Sequence, residues 1–194
     1  MGRLVFLLEE ASMAAFLREV LPKIEPDWRE NEHWLFIHHR GKKDLEKSIP
    51  IKLRAWNESN DCFIIVRDND GADCHVVKAK LLGVATSKPT ERVRVRLVCQ
   101  HLEGWFLGDL DALSAAYPHV KVSERRLSAK YRDPDVLTNA CQEVERLTKE
   151  KGKVGRAKKV GAHIAPEKNR SHSFKVFVSG VKQMKVQLAV TSRL

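Results

Sequence analysis

The sequence predicts an α/β, Rossmann-like protein: a central, mostly parallel sheet flanked by helices, with a helical, basic C-terminal extension. Three observations predict it. Short apolar runs alternate with amphipathic stretches through the first half of the chain, and the connections between runs are long enough for helical crossovers. Two of the runs are apolar on both faces, as strands covered by helices on both sides must be. After Cys99 the strand pattern stops, and helical, increasingly basic segments follow.

Residues 3–8 read as the first buried strand. Ser12 then reads as the N-cap of a helix that reaches Leu21 and is stopped by Pro22. Residues 33–39 form the second strand, and residues 44–56 a helix with an irregularity at Pro50. Residues 62–66 are the clearest buried strand; they run into Arg67, Asp68, Asn69, Asp70 and Gly71 before a helix that ends near Gly83. Basic and apolar residues alternate over 92–99, as in a strand near a sheet edge. Helices are then expected over 102–113, 134–149, 153–164 and 174–184, with loops over 117–132 and 166–172. At 194 residues and 43% hydrophobic the chain supports one substantial core. We divide it into a core over 1–116 and a mostly helical basic part over 117–194 packed on that core.

Composition excludes several classes. The apolar run at the start is interrupted by Glu9 and Glu10, so no signal peptide or membrane span is expected there. Cys62, Cys74, Cys99 and Cys141 form no C-x-x-C or Cys/His spacing, which argues against a disulfide framework and a structural zinc and for a reducing, cytoplasmic setting. The formal charge of +10 is concentrated at one end: 13 Lys and Arg face 2 acids from Arg146 onward, against 22 and 23 before it. Such asymmetry predicts a polyanionic partner, nucleic acid first; the expected partner is DNA ahead of RNA. The plainer reading is a solvated lysine-rich helix face.

In an open parallel sheet, ligands bind at the carboxyl ends of strands. Acids follow three of the four strands: Glu9 and Glu10, the pair Asp68 and Asp70, and Glu103 after a short turn. Carboxylates gathered on one rim repel and raise one another's pKa, and a cation offsets that repulsion. Oxygen ligands suit Mg²⁺ or Mn²⁺. Gly71 permits the bend that turns both aspartates inward. Asp73 is either a further metal ligand or the cap of the following helix.

The run Leu7, Leu8, Glu9, Glu10, Ala11, Ser12 resembles the V-E-G-x-S/T opening of Toprim domains, and Val66 to Asp70 resembles their D-x-D strand end. Arg67 to Cys74, taken with Leu102 to Asp109, is more closely similar to an uncharacterised bacterial family with a Toprim-like fold, over nearly the whole chain and including Ser173 and Phe174. The resemblance implies a Toprim-like core and an ATPase partner, members often being encoded beside ATPases. By analogy with overcoming-lysogenization-defect nucleases, it also implies a role in phage defence or DNA processing. It makes Glu9 a metal ligand or general acid/base, Asp68 and Asp70 the metal pair, and Glu103 a further ligand or the group that orients water. Glu10 stands where the family carries a small glycine; its side chain either crowds an approaching phosphate or adds an acid.

The expected activity is metal-dependent phosphodiester cleavage, with Lys42, Lys43, Lys153, Arg156, Lys158 and Lys159 neutralising flanking phosphates. The alternative is a catalytically weak module that binds an ATPase or nucleic acid and regulates it. His38 and His39 point to opposite faces of a strand, so they make a poor ligand pair. Trp105 and Phe106 read as core, Cys74 as a small buried helix residue, and Ser173 as an N-cap. Tyr117 and Tyr131 fall in expected loops and offer no nucleophile setting for a topoisomerase.

Overall fold

The computed structural model describes residues 2–122 and 128–191; the middle of the expected 117–132 loop lies outside the described residues. Four strands, β1 (Leu4–Leu8), β2 (Trp34–His38), β3 (Cys62–Asp68) and β4 (Val93–Val98), form one sheet in the order β2-β1-β3-β4. Every pairing is parallel, with Leu4 opposite both Trp34 and Cys62 and Phe63 opposite Val93. All four carboxyl ends therefore reach the same rim. The basic, alternating strand is an edge strand, and its Arg96 is nonetheless buried, donating from Nε to the Val176 carbonyl at 3.0 Å.

Side chains alternate across the sheet, so each face of β1 feeds a different core. Val5 and Leu7 pack with Leu45, Ile49 and Leu53 of α2 (Lys42–Ala55) and with Val77 and Leu81 of α3 (Cys74–Val84). Leu4, Phe6 and Leu8 face a larger core that includes α1 (Ala11–Ile24), α4 (Glu103–Leu107), α5 (Leu110–Ala116), α6 (Ala140–Thr148), α7 (Lys153–Gly161) and α8 (His172–Thr191). Its centre is aromatic: Trp105 lies 5.1 Å from Phe177 and 5.2 Å from Phe174, and Phe16 lies 5.2 Å from Phe106, between ring centroids. Trp105 and Phe106 are thus core residues, and Trp105 Nε1 donates to Ser173 Oγ at 2.8 Å.

The basic helix α7 lies along α1. A Cβ on Gly161 would stand 3.0 Å from the Phe16 carbonyl oxygen, so the crossing depends on a glycine. Lys23 closes the same seam by donating to the carbonyls of Gly161, Ala162 and Ile164 at 2.7 to 2.9 Å. Among the described residues no helix is long and apolar enough to cross a membrane.

Several boundaries differ from expectation. Helix α1 starts at Ala11 after Glu10, not at a Ser12 cap, and continues through Pro22 to Ile24. Proline there removes a single hydrogen bond in the last turn, while Val20 and Leu21 are fully buried beside it. The expected 102–113 helix is two helices, because Gly108 and Asp109 turn the chain. Asp109 caps α5 through Ala112 N at 3.1 Å and also accepts from Ala165 N at 2.9 Å. The expected 134–149 helix is a 3-10 turn (Pro134–Val136) followed by α6, which ends at Lys149 in the left-handed region. Ser171, not Ser173, caps α8 by accepting from Phe174 N at 3.1 Å, and Asp135 holds both serines.

A Cβ on Gly108 would lie 2.1 Å from Oδ1 of the fully buried Asn169, which donates to the Trp105 carbonyl and accepts from Ser171 N. Gly108→Ala therefore costs about 1 to 3 kcal/mol by overpacking, measured as a lower urea midpoint at unchanged slope. A variant as stable as the parent contradicts that packing.

Candidate metal centre

The rim beyond β3 is shaped by two loops that fold against each other. Asp70 and Gly71 both adopt positive φ, at 50° and 77°, and reverse the chain just after β3. Asn69 between the two aspartates ties this turn to the one after β4. Its backbone N–H bonds the Val98 carbonyl at 3.0 Å, and its Oδ1 accepts from Gln100 N at 2.6 Å and Gly71 N at 3.3 Å. Gln100 is itself left-handed, at φ 61°, and presents His101 to the aspartates.

The result is a group of three. One ligand atom each from Asp68, Asp70 and His101 lies within 4.8 Å of the others. His101 Nδ1 is 3.7 Å from Asp68 Oδ2 and 3.9 Å from Asp70 Oδ1. Asp68 Oδ1 is buried and has no hydrogen-bond partner. An acceptor left unpaired in that way is costly unless something positive reaches it. Burial, opposed in part by His101 and reinforced by the charges of Glu103 and Asp70, pushes the Asp68 carboxyl up to about 6. Asp68 in turn raises His101 above its ordinary value.

Glu9, at the end of β1, turns inward behind this group. Its Oε2 accepts from Asp68 N at 3.1 Å, and burial followed by the charge of Asp68 raises it to about 7. Glu10 turns the other way, into a cleft of about 190 Å³ that Asp68, His101, Glu103 and Lys153 also line. There Glu10 Oε2 accepts from Ser12 at 3.2 Å and lies 3.4 Å from Lys153 Nζ.

Three expected assignments are corrected. Asp73 is the N-cap of α3, accepting from His75 N at 2.7 Å and Val76 N at 3.1 Å, and is outside the cluster. Glu103 lines the cleft but is paired: the wholly buried Arg156 donates from Nη2 to its Oε1 at 3.0 Å. Arg156 is thereby removed from the candidate nucleic-acid contacts, since it also donates to the Glu150 carbonyl at 2.6 Å and has no exposed surface. Of the remaining basic residues, Lys42 reaches Asp70 Oδ2 at 2.7 Å and Lys159 reaches Glu150 at 2.7 Å, while Lys43 and Lys158 are exposed. His39 is buried, with Nδ1 on the Leu8 carbonyl and Nε2 on Ser48, which leaves no ligand role.

Two residues were missed by sequence reasoning besides His101. Asn69 carries no motif signal beyond standing between the aspartates. Arg67 is buried and draws the acids together: Nη1 donates to Glu46 at 2.7 Å, Nη2 lies 3.8 Å from Asp70 and Nε 4.0 Å from Glu9. Its position directly before D-x-D, at the end of an apolar strand, was the available signal.

The fold is shared with a solved chain, the C-terminal region of the OLD protein of Xanthomonas campestris pv. campestris. The TM-score is 0.56 at 14% identity, over 100% of this chain and 99% of that one. No curated protein matches the sequence. A family model described as "Domain of unknown function (DUF4276)" matches residues 8–182, and with nearly the whole chain covered the protein belongs to that family.

Proposed function

We propose that the protein is a Toprim-like, metal-dependent phosphodiester-cleaving enzyme acting on nucleic acid, DNA in preference to RNA. One observation carries the reading: the buried, unpartnered Asp68 Oδ1 beside Asp70 and His101. The donor set fits a divalent cation, and the imidazole shifts the preference from Mg²⁺ toward Mn²⁺. When bound, such an ion polarises a phosphate oxygen and lowers the pKa of a coordinated water.

The chain's own groups do the rest. Asp68, Asp70 and His101 would hold the ion, and Asn69 fixes the two loops that carry them. Glu9 near 7 can take or return a proton at neutral pH, while its Oε2 stays on Asp68 N. Lys153 at the cleft, half exposed, can leave Glu10 for a phosphate oxygen. Lys43, Lys158 and Lys159 lie further out as phosphate contacts, and Lys42 can leave Asp70 for one, each adding about 0.9 to the slope of log affinity against log salt on duplex DNA. The fold shared with the OLD-protein region supports the analogy to overcoming-lysogenization-defect nucleases, and a cytoplasmic role alongside an ATPase in phage defence is proposed from that analogy alone.

A second reading has its own observation. Lys42 on Asp70 and Arg156 on Glu103 already supply positive charge to two of the acids, as a catalytically weak binding module would arrange them. Nicking of supercoiled plasmid with Mn²⁺ or Mg²⁺ separates the two readings. Under the first, the wild type cleaves and Asp68→Ala with Asp70→Ala loses at least about 100-fold, the scale of removing a group that stabilises developing charge. Cleavage that survives the double substitution removes the cluster from the mechanism. A wild type that neither cleaves nor binds Mn²⁺ by calorimetry selects the second reading.

A further inference from the structure

Beside Asn69, two cysteines distant in sequence line one cleft. Cys74 is the first residue of α3 and Cys99 directly follows β4; both are free and partly exposed. The Cys99 and Cys74 side chains lie within interaction range of each other and line one open cleft of about 300 Å³ together with His75, Lys78 and His172. Asn69 Nδ2 donates to Cys74 Sγ at 3.2 Å, and Ser173 Oγ accepts from Cys99 N at 3.4 Å. Their proximity follows from the topology. Asp68 is opposite Val98 in the parallel β3/β4 register, so the chain leaving β4 runs beside the D-x-D turn and meets the start of the next helix.

We propose that Cys74 and Cys99 are a reversible oxidation site that forms an intramolecular disulfide with hydrogen peroxide as the oxidant. Two thiols that share one cleft can reach each other by small side-chain rotations, and a solvent-open cleft admits a small oxidant. Cys74 is the attacking sulfur: it opens a helix and accepts an N–H hydrogen bond, the environment reactive cysteines occupy. Cys99, lining the same cleft, is then the partner that resolves the intermediate as a thiol. In the first step Cys74 sulfur bonds to one peroxide oxygen as the O–O bond breaks, and the thiol proton leaves with the departing hydroxide as water. In the second, Cys99 sulfur attacks Cys74, the S–O bond breaks, and the hydroxide leaves with the Cys99 proton as a second water. Two thiols thus give two electrons to one peroxide. A small dithiol reverses the bond by exchange and becomes a disulfide itself.

The other two cysteines differ in setting. Cys62 is wholly buried in β3. Cys141 lies in the metal cleft, where Arg156 Nη2 approaches its sulfur at 3.8 Å and no second thiol is near among the described residues. The expected product is therefore one bridge.

The test uses the full chain at neutral pH with a slight excess of hydrogen peroxide. Thiol titration should fall from four to two, the intact mass should drop by two hydrogens, and peptide mapping should join Cys74 to Cys99, all reversed by dithiothreitol. With Cys99→Ser, a sulfenic acid trapped by dimedone should appear on Cys74 and no bridge should form. Four titratable thiols after peroxide, oxidation of Cys141 ahead of the pair, bridges only between chains, or an unbridged sulfinic acid on Cys74 would each overturn the proposal. None of these readouts involves a bound metal, so failure of the phosphodiester reading leaves the test intact.

Discussion

Arg156→Met lowers the thermal midpoint by about 6 to 20 °C, because breaking a buried ion pair from one side costs about 3 to 5 kcal/mol and each kcal/mol moves a domain of this size about 2 to 4 °C. Arg156 is fully buried and Glu103 nearly so, with 3.0 Å between Nη2 and Oε1. Removing the guanidinium leaves a carboxylate without its cation in the wall that also holds Asp68, and it frees the Glu150 carbonyl. The pair need not stabilise the fold over an apolar substitute; the loss arises from stranding one charge. Methionine at 156 together with Glu103→Gln should therefore recover most of the loss, a coupling that a double-mutant cycle measures directly. A single variant within about 1 kcal/mol of the parent, on that same scale, removes the pair from the account of stability.

The same pair shows how far the sequence could be read. The β1 and β3 runs, and the parallel sheet they imply, were legible because apolar residues on both faces have few other uses. Parallel order by itself places Glu9, Asp68 and Asp70 on one rim. His101 was not legible: nothing local marks it, and only the register of β4 against β3 brings residues 99–101 alongside 69–70. The roles of Glu103 and Arg156 depend on helices separated by 53 positions, a pairing no local pattern records. A signal did exist in α7, where Arg156 shares a stripe with Ala157, Val160 and Gly161 and so falls on the buried face. As one more basic residue of the tail Arg156 resembles a phosphate contact; its face of α7 makes it a core residue. Helix ends failed for a related reason: Gly108, Asp109 and Asp135 serve partners elsewhere in the fold, and local propensity is silent about them.

Mn²⁺ should raise the thermal midpoint strongly above neutral pH and hardly at all near pH 5, and Asp68→Asn should abolish the effect. Burial and mutual charge raise Glu9 to about 7 and Asp68 to about 6, and Asp68 raises His101. Between roughly pH 4 and 7 the folded chain thus keeps protons that the unfolded chain has released. The stability these groups contribute is complete below their unfolded pKa values and is lost as pH climbs through the folded ones. Glu143 has the opposite sign. Arg146, Lys130 and Tyr131 hold it down to about 2, so its contribution is present above the ordinary glutamate value and lost only in stronger acid, outside this window. A cation at Asp68, Asp70 and His101 competes with those same protons, so its affinity grows as they leave. At about 100 times its dissociation constant it adds about 2.7 kcal/mol, or about 5 to 11 °C for a domain of this size. Asp68→Asn removes one oxygen ligand and one raised carboxyl together, so the variant should lose the Mn²⁺ shift and a share of the fall in metal-free stability between about pH 5 and 7. An equal Mn²⁺ shift in the variant, or an equal shift at both pH values in the wild type, would place the cation somewhere other than this rim.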